Sequence, residues 1–296
     1  MKGEISAMSG KTYPMSMVLN VAGVSSAAWY GNRARKEGKL KTGPKTPISD
    51  DELLIEIKKE ILDSRFHSEG YKKVRARLKR RGIRAGKNRI YCLMKQHNLL
   101  APVRAGTGTS RLHNGTIITE VPNQMWATDG KQFYTEEEGL CWLFSVIDHC
   151  DDGILAWHTV KKGDRFAAME PVREAVKREY GSIDKGIVQG IGLTLRADHG
   201  SQYDSNDFQT EIKFLGFMYS PAFVRSPECN GIIERFHRTL NEQVISICHF
   251  RNLEEAKKVI GKFIDDYNRY WIIERLGYRS PLEHKEYLKL STKMAA

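Results

Sequence analysis

The fold is decided by residues 124–134, QMWATDGKQFY, a strand-like stretch with one acid inside it. Two similar stretches follow, LCWLFSVID at 140–148 and ILAWHTV at 154–160, and all three are rich in aromatic and apolar residues. The turn signals EEEG at 136–139 and CDDG at 150–153 separate them. Three adjoining strands with short connections predict an antiparallel meander.

The pattern changes to alternating helix and strand after the meander. We expect a helix at 165–180, a strand at 193–197, a helix at 206–215 and a strand at 217–220. Pro171 is expected near the first turn of its helix, because a proline deeper inside would break it. Two further helices close the chain, with apolar stripes from Ile233 to Ile247 and from Leu253 to Tyr267. This order predicts an α/β fold, a mixed sheet with helices on its faces.

Composition places the chain among globular proteins. With 296 residues, 41% hydrophobic and 28% charged, it is long enough for two domains that each bury a core. No apolar run approaches the roughly 20 residues of a membrane span, and the start MKGEISAMSGKTYP has no secretory signal, so a cytoplasmic protein is expected. The five cysteines are scattered without a Cys-x-x-Cys pair, which argues against a disulfide framework and a structural zinc site.

The basic excess is confined to the first part of the chain. Residues 1–111 contain 24 Lys/Arg and 9 Asp/Glu, a balance of +15. Residues 112–296 contain 23 Lys/Arg and 27 Asp/Glu, a balance of −4. General solubility does not require such an asymmetry, so we expect a polyanion partner for the front part.

Several helical segments organise this front part. The segment YPMSMVLNVAGVSSAAWY at 13–30 predicts two short helices around a tight turn at 22–25, which is typical of a helix-turn-helix, although an ordinary helical hairpin fits the same pattern. A basic linker at 31–47 precedes a helix that begins with a capping box at 49–52. Two more helices, separated by a glycine break, are expected within 71–97.

The stretch from Lys72 to Arg89 carries ten Lys/Arg and no acid. A solvated helix face would normally mix charges of both signs through i,i+4 pairs. An unmixed basic face supplies strong, salt-sensitive affinity for DNA, because each neutralised phosphate releases counterions; a merely basic surface is the alternative. The predicted DNA-binding residues of this stretch are Lys72, Lys73, Arg75, Arg77, Lys79, Arg80, Arg81, Arg84, Lys87 and Arg89.

Three acids far apart in the sequence are the candidate catalytic residues. Asp129 lies in the first strand, where a carboxylate is costly unless it is paired or bound to a metal. Asp198 follows the fourth strand, where open α/β sheets place their ligands, and Glu234 lies one turn into a helix at the edge of its buried face. Carboxylates suit Mg²⁺, and a pair of ions would serve displacement at phosphorus. The chain has 36 acids, so chance triples are common, and Asp151 and Asp152 fit a turn instead.

Ordered motifs give the chain a family resemblance. The segment DHGSQY begins at Asp198, NGIIERFHRTL surrounds Glu234, and 35 residues separate the two acids. These motifs resemble the integrase core of retroviral integrases and bacterial transposases. The tail DYNRYWIIERLGYRSPLEH at 266–284 and the front half resemble insertion-sequence transposases of the IS3 group, second-frame (OrfB) type. The resemblance covers nearly the whole chain.

The resemblance implies a ribonuclease-H-like mixed sheet, the integrase core, preceded by an all-α helix-turn-helix region. It implies Asp129, Asp198 and Glu234 as catalytic metal ligands, with two Mg²⁺ or Mn²⁺ ions as cofactor. The family cleaves DNA at element ends and joins the freed 3′-hydroxyl to a new strand, so terminal repeats and target DNA are the implied substrates. It also implies an upstream-frame (OrfA) protein or fusion, multimers on DNA and a nucleoid-associated, bacterial location.

Weaker expectations surround the three acids. His199 and Asn230 are expected to contact DNA, with a structural, hydrogen-bonded histidine as the alternative at 199. The family usually has Lys or Arg seven residues after the glutamate; this chain has Asn241 there, and Arg238 is the expected substitute. The tail carries Trp-Ile-Ile at 271–273 where the family commonly has Arg-Pro-His.

These patterns predict a helical, basic DNA-binding region at 1–100, a linker at 101–118 and a catalytic domain at 119–290. The helix-turn-helix elements are expected at about 13–30 and 71–97. The expected function is metal-dependent cleavage and strand transfer of insertion-sequence DNA. Two rivals stay open, a ribonuclease-H-like nuclease without strand joining and a catalytically inactive DNA-binding remnant or regulator.

Overall fold

The computed structural model divides the chain into two compact units, Met1–Ser49 and Asp50–Ala296. Most of the two predicted linkers and all of His199 lie outside the described residues, so the predicted domain boundaries stay a prediction. The structure describes residues 4–5, 7–30, 47–102, 119–198, 200–221 and 230–295.

The first unit contains the predicted pair of short helices. Helix α1 spans Met15–Val21, and residues 26–30 are helical. Gly23 has a φ of +65° between them, a left-handed conformation that glycine adopts without steric cost. The hydroxyl of Ser25 accepts a hydrogen bond from the Ala28 N–H, which begins the second helix.

The second unit opens with three helices that pack on one another. They are α2 (Asp50–Leu62), α3 (Tyr71–Arg80) and α4 (Lys87–Gln96). Gly82 has a φ of +84° just after α3, and Gly86 precedes α4, so the predicted glycine break is confirmed. The shared core of these helices is apolar and fully buried, and its largest members are Leu53, Ile57, Leu78, Ile90 and Met94.

A five-stranded mixed sheet forms the centre of this unit. Its strands are β1 (Met125–Thr135), β2 (Gly139–Asp148), β3 (Ile154–Val160), β4 (Thr194–Ala197) and β5 (Met218–Pro221). Their order is β3-β2-β1-β4-β5; β1, β2 and β3 pair antiparallel, and β4 and β5 pair parallel to β1 and to each other. This topology is ribonuclease-H-like, so the predicted meander and fold class are confirmed.

Helices cover both faces of the sheet. Helices α5 (Arg165–Tyr180) and α6 (Asn206–Leu215) bury their apolar residues against one face, together with Trp126 and Phe144. Helices α7 (Gly231–Leu240) and α8 (Leu253–Tyr270) cover the other face. Side chains alternate between the two faces along each strand. Ala127 and Leu143 lie on the α7 face, so Asp129 and Ser145, two residues further along their strands, point the same way.

Three expectations for this unit are wrong. Pro171 lies inside α5 rather than near its first turn, because the side chain of Asp164 accepts hydrogen bonds from the N–H groups of Phe166 and Ala167 and so begins the helix at Arg165. The stripe that begins at Ile233 stops before Ile247, which is 55% exposed, because a π-helical turn at Asn241–Ile245 follows α7. A third closing helix, α9 (Pro281–Ala295), follows the two expected ones.

Apolar residues of the tail attach the front helices to the rest of the second unit. Phe66 is buried in the core of the α7 face, and its ring meets Trp271 edge-on at 4.8 Å and Phe263 at 6.2 Å. Ile272 and Ile273 are buried beside them, so the departure at 271–273 from the family pattern supplies apolar contact. None of the described helices has the length and apolar composition that crossing a bilayer requires.

Ion pairs repeat this connection along its rim. The Lys72 ammonium lies 2.8 Å from a Glu274 carboxylate oxygen, and the Arg80 guanidinium donates to both carboxylate oxygens of Glu283. His67 and Gln243 exchange two hydrogen bonds of 2.8 Å. Exposed pairs of this kind contribute little stability each, so the buried Phe66 cluster carries most of the attachment.

We expect Phe66→Ala to lower the free energy of unfolding by about 3–5 kcal/mol, because it removes a buried aromatic side chain from the junction. Urea denaturation followed by tryptophan fluorescence measures the loss. The control Ile55→Ala removes an exposed apolar side chain from the same helical region and should cost less than about 1 kcal/mol. Equal costs for the two variants would contradict a buried junction at Phe66.

Candidate active site

The structure brings the three predicted acids to one end of the sheet. Thr128 of β1 pairs with Ala197 of β4, so the next residues of these parallel strands, Asp129 and Asp198, lie side by side. Glu234 is in the first turn of α7, the helix that covers this face. The three acids come from a central strand, a strand end and a helix, which no local sequence pattern could bring together.

Asp129 is held on both of its carboxylate oxygens. Oδ1 accepts a hydrogen bond of 2.7 Å from the N–H of Gly130, and Oδ2 lies 3.2 Å from Nδ1 of His237. Gly130 has no room for a side chain, because a Cβ there would lie 2.7 Å from a ring carbon of Phe144. The backbone beside the acid is therefore fixed by the packing of the opposite face.

Asp198 is held by an amide from the start of α7. The Nδ2 group of Asn230 donates a hydrogen bond of 3.1 Å to Asp198 Oδ1. Asn230 was expected to reach DNA, but its side chain is only 1% exposed, so in this structure it orients the acid instead. Tyr203 is buried beneath both aspartates, and burial together with the charge of Asp129 raises its pKa well above the ordinary value.

The pKa of Glu234 is affected by the charges of the other two acids. Burial raises its pKa above the ordinary carboxyl value, and repulsion from Asp198 and then Asp129 raises it further. The exposed Arg238, one turn later on α7, lowers it in part. Repulsion of this kind requires the three carboxyl groups to be near neighbours, so the site has an excess of negative charge that a cation would relieve.

The donor set fits a hard divalent cation in its chemistry. Three carboxyl groups and the otherwise unbonded, buried Oδ1 of Asn230 are the oxygen ligands that Mg²⁺ and Mn²⁺ prefer. Among the described residues, no three His, Cys, Asp or Glu side chains already stand at metal-binding spacing. Occupation of the site would therefore need side-chain adjustment of Asp129, Asp198 or Glu234.

Sequence reasoning missed the polar groups that hold Asp129. His237 is 5% exposed, and its Nε2 lies 2.9 Å from the Ser145 hydroxyl oxygen. Two signals pointed to these residues: His237 lies three positions after Glu234, on the same helix face, and Ser145 interrupts an apolar strand. The predicted contact at His199 lies outside the described residues.

Two protein-family models and several transposases match parts or most of the chain. The HTH-like domain family matches residues 49–106, and the Integrase core domain family matches residues 218–281, which include Glu234. The chain is 28% identical over 286 residues to transposase InsD of insertion element IS2A/D/F/H/I/K from Escherichia coli, covering 94% of this chain and 93% of the relative. The chain is therefore similar to insertion-sequence transposases over nearly its full length. Transposase InsD of element IS2-9 from Escherichia coli strain K12 is also 28% identical, and the match covers 94% of this chain and 91% of that relative.

Solved structures overlap the chain more distantly. The simian T-cell lymphotropic virus intasome aligns with a TM-score of 0.46 and 18% identity, over 71% of this chain and 70% of that one. The HTLV-2 integrase catalytic core domain in complex with magnesium aligns with a TM-score of 0.41 and 17% identity, over 56% of this chain and 97% of that one.

The ten predicted DNA-binding cations of this chain fall into two sets. Six have a carboxylate within ion-pair distance: Lys72, Lys73, Arg77, Arg80, Arg81 and Arg89. Lys73 also lies over the Trp271 ring, 3.0 Å from its centroid. Within the described part of the chain, the other four are exposed and have no carboxylate that close: Arg75, Lys79, Arg84 and Lys87.

A second group of acids lies at the opposite end of β1 and is not part of this site. Asp148 pairs with Trp126, three positions from the Asp129 pairing, and begins a buried turn. Asp151 accepts a hydrogen bond from the Gly153 N–H, as expected for a turn, and Asp152 lies at a φ of +56° and pairs with Arg275. Burial raises the pKa of Asp148 to about 6, and burial with repulsion from Asp148 raises that of Asp151 to about 7.

The raised pKa of Asp151 makes a stability prediction. The folded chain binds this proton more tightly than the unfolded chain, so this group's contribution to stability falls as pH rises from about 4 to about 7. Asp151→Asn keeps an oxygen acceptor for Gly153 and cannot ionise. We expect its melting temperature, relative to wild type, to rise by about 3 °C or more between about pH 5.5 and about pH 8.5. Thermal denaturation followed by circular dichroism measures this.

The exposed Asp63→Asn is the matched control, since it removes a carboxylate that burial does not affect. Its melting temperature relative to wild type should stay level across the same pH range. A level Asp151→Asn profile would contradict the assignment of a raised pKa to that carboxyl group.

Proposed function

We propose that the chain is a DDE transposase, a polynucleotidyl transferase that cleaves insertion-sequence DNA and joins the freed 3′-hydroxyl to a new strand. The convergence of Asp129, Asp198 and Glu234 at one end of a ribonuclease-H-like sheet carries this proposal. The similarity to the IS2 transposases over nearly the full length of both chains supports it.

The three acids are the proposed ligands of two Mg²⁺ or Mn²⁺ ions. When bound, such ions activate the attacking oxygen and stabilise the leaving oxygen during displacement at phosphorus. The chain's own contribution is to hold three mutually repelling carboxylates close together, with Asn230 on Asp198 and Gly130 on Asp129. The repulsion from Asp198 and Asp129 that raises the pKa of Glu234 is the electrostatic counterpart of affinity for a cation.

Arg238 is the proposed DNA contact nearest the acids. It is exposed, lies one turn after Glu234 on α7 and acts electrostatically on that carboxylate. A guanidinium at this place can bind a phosphate with two parallel hydrogen bonds. Asn241, which occupies the position where the family usually has Lys or Arg, begins the π-helical turn and accepts a hydrogen bond from the Ser246 N–H through its carbonyl.

Four of the ten predicted DNA-binding cations, those without a close carboxylate, form the proposed duplex-binding surface. Arg75, Lys79, Arg84 and Lys87 are free to neutralise phosphates, whereas the six paired cations would first have to leave a carboxylate. The proposed partners beyond DNA, an upstream-frame (OrfA) protein and further copies of the chain, follow from the family. Size-exclusion chromatography of the chain with and without element-end DNA tests the second: a monomer in both would contradict assembly on DNA.

We expect Asp198→Asn to abolish strand joining. Loss of an outer-shell partner of a metal site costs about 10–100-fold in activity, so loss of a proposed ligand costs at least that. The assay is incubation of the full chain with labelled element-end DNA in Mg²⁺, followed by separation of 3′-cleaved and joined products. The control Asp204→Asn neutralises an exposed acid six residues away and should leave product yield unchanged.

Each outcome of that assay separates a rival function. Joined products from Asp198→Asn at the wild-type rate would overturn the catalytic assignment. Cleavage without joining by the wild-type chain would favour a nuclease. DNA binding with neither product would favour a regulatory remnant.

We expect the double variant Lys79→Ala/Arg84→Ala to weaken DNA binding in a salt-dependent way. Each lost phosphate contact reduces the magnitude of the negative slope of log K against log salt concentration by about 0.9, so the loss of two contacts reduces it by about 2. Fluorescence anisotropy with labelled duplex at several salt concentrations gives the slope. The control Lys58→Ala/Lys59→Ala removes two exposed charges from α2; an equal change in slope there would assign binding to net charge rather than to this surface.

A further inference from the structure

His237 connects Asp129 to the second strand through both of its ring nitrogens. Nδ1 lies 3.2 Å from Asp129 Oδ2, and Nε2 lies 2.9 Å from the Ser145 hydroxyl oxygen. The ring is 5% exposed and Ser145 is fully buried, so solvent does not compete for the contact between them. The three side chains form a chain of two polar contacts across a strand, its antiparallel neighbour and the covering helix.

We propose that His237 is a positioning residue for Asp129 and that Ser145 holds the His237 ring in place. In this arrangement Nδ1 carries the proton and faces the carboxylate, and Nε2 accepts a hydrogen bond from the Ser145 hydroxyl. The proposal rests on the proposed function, because Asp129 needs positioning only if it is a metal ligand.

The donor and acceptor inventory dictates this tautomer. An ionised carboxylate only accepts hydrogen bonds, so the ring nitrogen that faces Asp129 is the one that carries hydrogen. The other nitrogen of a neutral ring is then an acceptor, and a serine hydroxyl can rotate to donate to it. Asp129 thus selects the tautomer, and the Ser145 hydroxyl supplies the matching donor to Nε2 that holds the ring in place.

The ring restricts the carboxylate before any cation arrives. Asp129 Oδ1 already accepts from the Gly130 N–H, so the contact of Oδ2 with His237 fixes the second oxygen. A carboxylate has about four acceptor positions, so two remain for a cation. Metal-binding carboxylates are commonly held by such outer-shell partners, and their loss costs about 10–100-fold in metal affinity.

The register between β1 and β2 makes these two contacts of His237 possible. Asp129 and Ser145 are direct cross-strand partners, so their side chains leave the sheet on the same face. His237 lies three residues after Glu234 on α7, so one helix supplies both a proposed ligand and the group that positions another. A shift of one residue in either strand would turn these side chains to the opposite face.

Two amide variants separate the two ring contacts. The side-chain amide of His237→Asn places nitrogen near the position of Nδ1 and can still donate to Asp129. The longer amide of His237→Gln reaches toward the position of Nε2, which preserves the Ser145 side and abandons the carboxylate. Both variants remove the ring, so a difference between them reports the contact with Asp129 rather than the loss of packing.

We expect His237→Gln to bind Mn²⁺ at least about tenfold more weakly than wild type, and His237→Asn to bind at least about threefold more tightly than His237→Gln. Electron paramagnetic resonance of free Mn²⁺, titrated into the DNA-free full chain, measures both. Circular dichroism melting verifies that each variant is folded. Equal affinities of the two amide variants would overturn the proposal, as would a His237→Gln affinity equal to wild type.

A spectroscopic test needs no metal. Nitrogen-15 spectra of the histidine-labelled full chain should show the His237 ring with hydrogen on Nδ1 at neutral pH, and Ser145→Ala should shift the Nε2 resonance because that nitrogen loses its hydrogen-bond donor. Hydrogen on Nε2 in the wild-type chain would overturn the proposal. The half-buried His158, on the third strand, provides the control for the Mn²⁺ titration: His158→Gln should keep wild-type Mn²⁺ affinity.

The same titration separates this proposal from the proposed function. If Asp198→Asn binds Mn²⁺ as tightly as wild type, the three acids are not the metal site and the proposed function loses its basis. If Asp198→Asn weakens binding while His237→Gln does not, the metal site stands and only the positioning role fails.

Discussion

The structure depends on holding three carboxylates close together against their mutual repulsion. Asp129 and Asp198 end up side by side because β1 and β4 pair in parallel, and α7 brings Glu234 over the same end of the sheet. The cost appears at Glu234, where burial and the two neighbouring charges raise the pKa. Two apolar cores, one on each face of the sheet, supply the stabilisation that such a site consumes. The candidate active site therefore carries an electrostatic cost, which the burial of these two cores offsets.

The front helices and the tail are part of that scaffold. Phe66 inserts into the core that α7 and α8 also build, and Trp271 covers it. Lys72 and Arg80, which the sequence predicts to bind DNA, form ion pairs with Glu274 and Glu283 of the C-terminal part of the chain. A basic helix can thus divide its charges between internal attachment and an external polyanion.

Much of this was predictable from the sequence, for local reasons. Alternation and turn chemistry act over a few residues, so the strand pattern around Asp129 predicted the sheet, whereas the family motifs around Asp198 and Glu234 predicted the three acids. The pairing of Arg80 with Glu283 spans 203 positions, so no local signal carries it. His237 escaped notice because its function depends on which residue faces it across the sheet, and the polar helix Pro281–Ala295 lacks the apolar stripe that marks a buried helix.

The parallel pairing of β1 with β4 also sets an order of events during synthesis. Asp129 emerges from the ribosome more than a hundred residues before Glu234 and His237, and β4 joins the sheet only after the intervening helix has been made. Closing so long a loop is slow compared with forming a hairpin. A nascent chain therefore exposes its basic helices long before the three acids of the candidate site can meet.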